Sequence, residues 1–259
     1  PAEGEDFICD TWDLLPSVLL FDFRDYDTQD RYLKRLAFFV EKKGFAGRLA
    51  TDEEIAPLHG WNAHDYRAED LAAFFSAAAE KAFPLNAQER RLESFLLERG
   101  IISKHGGRYR GSSAAIISIT RESPPYLRRI FLVHESTHAL FFADSRYRDL
   151  CLSLWKGMDG KEAWFWKLYF GWMNYDTRSD YLMANELQAY LMQQSLGSLS
   201  PYLTKTLADR LVENHPELQT PLKAFFQEYY DKIAEKAARL DAWLRDNYGF
   251  RAGETYFLR

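Results

Sequence analysis

The 259-residue sequence predicts an α+β fold that is mainly helical, with an N-terminal α/β lobe over 1–122 and a C-terminal helical lobe over 123–259. Two observations carry this expectation. Up to about Thr120, short apolar runs alternate with capped helical segments, whereas from Ser123 onward only the helical period remains. Composition agrees: 47% hydrophobic residues supply a core, and 27% charged residues are ordinary for a globular chain.

The elements follow in order. SVLLFDF (Ser17–Phe23) is short, apolar and followed by charges, which predicts a strand. A helix starts at Asp27 or Thr28, with Leu33, Leu36, Ala37 and Val40 on its apolar face and Gly44 beyond its end. GFAGRLA (44–50) reads as a second strand. Thr51 and Glu54 have the spacing of a capping box for the next helix. GWNAHDY reads as a loop leading to the helix AEDLAAFFSAAAEKAF. Asn86 and Glu89 cap another helix, which Gly100 stops. IISKHGGRYRGSSAAIISIT predicts a hairpin turned at Gly106-Gly107, then a strand over 114–120. Ser123 as N-cap and Pro124 at the first helical position open a helix running to about Phe142. EAWFWKLYFGWM and YLMANELQAYLMQQSLG are further helices, the second stopped by Gly197. Thr220 caps a long amphipathic helix bearing Leu222, Phe225, Phe226, Tyr229, Ile233, Leu240 and Leu244, with Gly249 after it.

The net charge of −5 argues against nucleic acid or an anionic membrane as partner. No apolar run has the length of a membrane span. Cys9 and Cys151 match no zinc-ligand spacing and read as two thiols rather than a pair. The sequence opens on Pro1 without an initiator methionine, which favours an exported or membrane-tethered protein over a cytoplasmic one. The aromatic group Trp155, Trp164, Phe165, Trp166, Tyr169, Phe170 and Trp172 has helical spacing and reads as packing between helices. His59, His64 and His105 fall in predicted helix ends or turns, where solvation is expected.

The chemistry concentrates in IFLVHESTHALFF (Ile130–Phe142). His134 and His138 are four apart, so on a helix they project from one face, one turn apart. Two imidazoles so placed can grip a single zinc ion, and Glu135 projects to the side where a water on that metal would lie. The flanks are apolar, and a buried helix with two histidines and a glutamate strands polar groups unless something pairs them. A metal resolves that cost. A zinc site of this kind needs a third protein ligand, and Glu186 and Asp144 are the candidates. Glu186 shares a helix face with Leu182, Ala189 and Tyr190, and a carboxylate among apolar neighbours calls for a cation.

HExxH at 134–138, followed by a helix carrying Asn185-Glu186, resembles the gluzincins, the thermolysin-like branch of the zinc peptidases. The resemblance spans Ile130 to Tyr190. It implies a zincin-like fold with the motif helix between the lobes, one zinc per chain held by His134, His138 and Glu186, Glu135 as general base, and a peptide or protein substrate. The Asp144 alternative resembles a metzincin, which turns sharply at a glycine where this chain has Phe141; Glu186 is therefore preferred. Tyr190 stands where thermolysin-like enzymes place an aspartate that supports a zinc histidine. That support falls to Tyr190, Asp144, Asp180 or a backbone carbonyl. Tyr175, Tyr181, Tyr190 and His215 are candidate donors to an oxyanion. Zincins also pair extended substrate with a strand above the site helix, a role expected of Ile116–Thr120. Two other classes stay open: a zincin-fold binding protein without turnover, and a zinc hydrolase with a non-peptide substrate.

Overall fold

A computed structural model describes residues 5–58, 60 and 62–254. The chain divides into two compact units, the first ending at Ala143 and the second beginning at Asp144. The fold is α+β and mostly helical.

The first unit is built on a four-stranded sheet. Its strands are β1 (Phe7–Trp12), β2 (Leu15–Phe23), β3 (His64–Arg67) and β6 (Ala115–Thr120), in the order β1-β2-β6-β3. β2 and β6 are parallel, and the other two pairs are antiparallel. A separate hairpin, β4 (Ile102–His105) and β5 (Arg108–Gly111), turns at Gly106-Gly107 as expected. Strand alternation divides the sheet into two faces. Leu19, Phe21, Phe23, Tyr66 and Ile116 point into one core with residues of three helices, α1 (Tyr26–Glu41), α3 (Ala68–Glu80) and α4 (Ala87–Glu98). The opposite parity includes Asp22, Asp65, Arg67, Ile117 and Ile119. Helix α5 (Pro125–Ala143), which carries the motif, packs on β6, β3 and β2. Arg128 ties it to this second face through the Asp22 carboxylate at 2.8 Å and the Thr120 carbonyl at 2.6 Å. β6 is buried at every position, as a strand covered on both faces must be.

Local chemistry sets the helix starts. Asp25 caps α1 by accepting from the Thr28 N–H at 2.7 Å. Thr51/Glu54 and Asn86/Glu89 both form reciprocal capping boxes, the first on the short helix α2 (Asp52–Ile55).

Several expectations are corrected here. GFAGRLA is a turn, not a strand, because Gly44 and Gly47 take positive φ values of 83° and 75°. GWNAHDY, expected to be a loop, ends in the first three residues of β3, and β1 is a strand that the sequence does not predict. Ser123 does not cap α5. Its hydroxyl bonds Tyr26 at 2.6 Å and Thr120 at 3.1 Å, and the helix begins at Pro125. The first compact unit continues past 122/123 to Ala143, and α5 within it packs on the sheet.

The regular elements of the second unit are all helices among the described residues. It comprises α6 (Ser145–Lys156), α7 (Glu162–Trp172), α8 (Asp180–Met192), a helical stretch formed by α9 (Leu199–Pro201), a π-helical turn (Tyr202–Leu207) and α10 (Ala208–Asn214), and α11 (Gln219–Tyr248). α8 is buried on all sides from Met183 to Met192, which makes it the central helix. It ends at Met192, short of Gly197. Thr220 is the second residue of α11 rather than its cap, because a 3-10 turn over Pro216–Leu218 leads directly into the helix. Phe165, Trp166, Tyr169 and Phe170 are fully buried, and Phe165 stacks on Phe225 at 5.5 Å, so these four are core, whereas Trp164 is exposed and Trp172 half-buried. Both cysteines are free thiols.

Candidate metal centre

α5 delivers both motif histidines to one point. The Nε2 atoms of His134 and His138 lie 3.0 Å apart, and their rings meet edge to face at 4.6 Å between centroids. Two nitrogens each about 2.05 Å from one ion in tetrahedral geometry stand ~3.3 Å apart, so the pair is close to ligand spacing. The same separation also serves a hydrogen bond between the rings when one Nε2 carries a proton. The Thr137 hydroxyl donates to the His134 carbonyl at 2.7 Å and so stays on the helix backbone. Burial is uneven along the motif: His138 is 1% exposed and Glu135 4%, while His134 is only half-buried. His134 thus presents the open side of the pair.

A carboxylate that the sequence reading missed joins them. Asp65 projects from β3 with its Oδ2 3.9 Å from His138 Nδ1. Ligand atoms of Asp65, Glu135 and His138 come within 4.8 Å of one another. The two carboxylates also act on Tyr66. Burial drives its hydroxyl pKa well above the usual value, and the charges of Glu41, Asp65 and Glu135 add to the rise. His64, expected to be solvated, is 3% exposed and pairs its Nδ1 with the Tyr66 hydroxyl at 2.9 Å. His105 is exposed, as expected, and His59 lies outside the described residues. A signal for β3 exists in HDYR, where His64 and Tyr66 are buried and Asp65 and Arg67 are half-buried. Four residues without an aliphatic side chain are too short for periodicity to reveal it.

The strand expected to pair with substrate does not have the edge this requires. Ile116–Thr120 lies inside the sheet, bonded to β2 along its length and to β3 through Ser118. The edge strand beside α5 is β3.

The second unit holds the remaining candidates. Glu186 sits mid-way along α8 at 2% exposure. Tyr190, one turn later, packs on Tyr169 and Phe170 at 5.5 and 5.3 Å. Burial pushes its hydroxyl pKa far up, with Tyr169, Tyr202 and the Glu186 charge adding to it. Tyr175 is buried against Phe170, and Tyr181 is half-buried in the first turn of α8. Asp144 serves as the cap of α6, accepting from the Arg146 and Tyr147 N–H groups, and it binds the Arg146 guanidinium and the Tyr248 hydroxyl. Those bonds hold its pKa below the usual value against the opposing effect of burial. Asp180 accepts from the Trp155 indole at 2.9 Å. His215 is exposed at the end of α10, 3.3 Å from Glu217.

Comparison with protein-family models, curated proteins and solved structures finds no significant match to this chain.

Proposed function

We propose that the chain is a zinc-dependent peptidase in which His134, His138 and Glu186 hold one zinc ion and Glu135 is the general base. The convergence of the two motif Nε2 atoms at 3.0 Å carries this reading. The donor set fits zinc chemically: two imidazoles and a carboxylate, with a fourth position left for water. Glu186 is the preferred third ligand for two reasons, its place in the Asn185-Glu186 pair and its burial on α8, where a carboxylate taken out of water calls for a cation.

When bound, the zinc supplies a Lewis acid that polarises the scissile carbonyl and acidifies water. His134 and His138 would hold the metal through the convergent Nε2 atoms, with their protons on Nδ1. The Glu135 carboxylate accepts the proton of the attacking water and returns it to the leaving nitrogen, which departs as an amine.

Metal analysis of the purified chain is expected to find about one zinc per molecule. Glu135→Gln is expected to keep that zinc and to lose peptide cleavage by at least ~100-fold. A chain without zinc leaves the histidine pair as a structural hydrogen bond. A Glu135→Gln variant with full activity ends the proposed mechanism. Cleavage confined to non-peptide amides, or absent altogether, assigns the site to the other classes open from the sequence.

A further inference from the structure

We infer that Asp65 is the positioning carboxylate for His138, supplied from the sheet rather than from the ligand-bearing helix. The inference rests on the zinc reading above, but it concerns a different residue and a different measurement.

Strand parity decides which face Asp65 takes. On β3, His64 and Tyr66 point to the core face, where Tyr66 joins the cluster with Phe21, Phe23 and Ile116. Asp65 and Arg67 therefore point to the other face, on which α5 packs. Both find partners there. Asp65 Oδ2 lies 3.9 Å from His138 Nδ1, and the Arg67 guanidinium lies over the Phe142 ring at 6.0 Å. The two spacings agree. Two strand residues advance ~6.6 Å and four helix residues advance ~6 Å, so β3 and α5 run in register at this place. A double contact of this kind sets where Asp65 sits along the helix.

The nitrogen it faces decides the role. His138 turns Nε2 towards His134 and Nδ1 towards Asp65. A carboxylate at Nδ1 favours the tautomer that carries its proton there, which leaves the Nε2 lone pair for a metal and makes it more basic. Tyr190 removes an aspartate from the helix that carries Glu186, while Asp144 and Asp180 are committed to the α6 cap and to Trp155. Asp65 supplies a carboxylate at the histidine itself.

The test uses the full chain, stripped of metal and titrated with Zn2+ against a chromophoric chelator, and with Co2+ read by its visible bands. Four forms are compared: wild type, Asp65→Asn, Asp65→Ala and Asp22→Asn. Asp22→Asn removes a carboxylate from the same sheet face that binds Arg128 and not a histidine. Unfolding of each metal-free form is followed in parallel, and the isosteric Asp65→Asn guards against a fold defect in Asp65→Ala. Both Asp65 variants are expected to bind zinc about 10–100-fold more weakly, with shifted Co2+ bands, while Asp22→Asn stays within twofold. Unchanged affinity in a folded Asp65 variant overturns the inference. So does an equal loss in Asp22→Asn, which makes the effect one of helix docking. A loss beyond ~1,000-fold with altered Co2+ coordination also overturns it, since Asp65 is then a ligand itself. If wild type binds no metal, the zinc reading fails first and takes this inference with it.

Discussion

Replacing Arg35 with leucine tests the core of the sheet-bearing unit. Arg35 on α1 donates Nε to Glu89 on α4 at 2.8 Å, and each side chain is 2% exposed. Its other nitrogens donate to the Ala50 carbonyl and the Asp52 carboxylate. Asp52 is largely exposed and contributes little. The buried pair matters more: removing one partner strands the other charge, at about 3–5 kcal/mol. The loss should depend on pH. Burial already holds the Glu89 pKa above the usual carboxylate value although Arg35 opposes it. Without the guanidinium that pKa climbs further. A carboxyl with a raised folded pKa contributes stability that is complete below its unfolded pKa and is lost as pH rises through the folded one. The deficit of Arg35→Leu should therefore be largest near pH 8 and smaller near pH 5, where Glu89 takes up a proton. Adding Glu89→Gln removes the stranded charge and keeps an oxygen for the Asn86 N–H, now bonded at 2.8 Å, so the double variant should recover part of the loss. Amide-exchange protection along α1 and α4 reads this unit directly. A deficit under about 1 kcal/mol at pH 8, or an equal deficit at both pH values, refutes the reasoning.

Other outcomes follow from single positions. Asp25→Ala should cost about 1 kcal/mol at neutral pH through loss of the α1 cap. Bonds from Thr28 and Arg24 hold the Asp25 pKa down at about 2, so this contribution is present above the usual value of 3.8 and lost as pH falls through about 2. Acid titration of the variant against wild type checks it: the two stability curves should converge at the acid end. Gly111→Ala should destabilise strongly, because its Cβ would lie 2.4 Å from backbone atoms of Ala68 and Glu69; soluble yield and amide exchange across β5 and α3 report it. Glu135→Gln separates zinc retention from turnover, and the Asp65 variants separate zinc affinity from folding, as set out above.

Much of the fold can be read from the sequence because local chemistry decides it. Both capping boxes, the Gly106-Gly107 hairpin, β2, β6 and the long terminal helix each carry their signal within a few residues. The motif histidines are legible for the same reason, since spacing on one helix sets their geometry. What escapes is decided by partners distant in sequence. β1 pairs with β2 through a register shift at Thr11/Trp12, and its residues are mostly half-buried, so its pattern is weak. β3 has four residues and exists as a strand because β6 offers it an edge. Asp65 escapes for that reason: its meaning depends on a histidine 73 positions later. GFAGRLA fails in the other direction, since its apolar residues suggest a strand while two left-handed glycines turn it.

The order of the sheet bears on how this protein comes to life as a folding chain. β2 and its parallel neighbour β6 are separated by the whole of α1, α2, β3, α3, α4 and the hairpin. A pairing between such remote segments carries a large loop-closure cost and is slow to form. The motif helix follows directly after β6, so its seat on the sheet is complete only when this last strand has docked. On the zinc reading proposed above, metal capture would then be coupled to this remote pairing. A chain still waiting for β6 offers two histidines on a helix with neither the sheet beneath them nor Asp65 beside them.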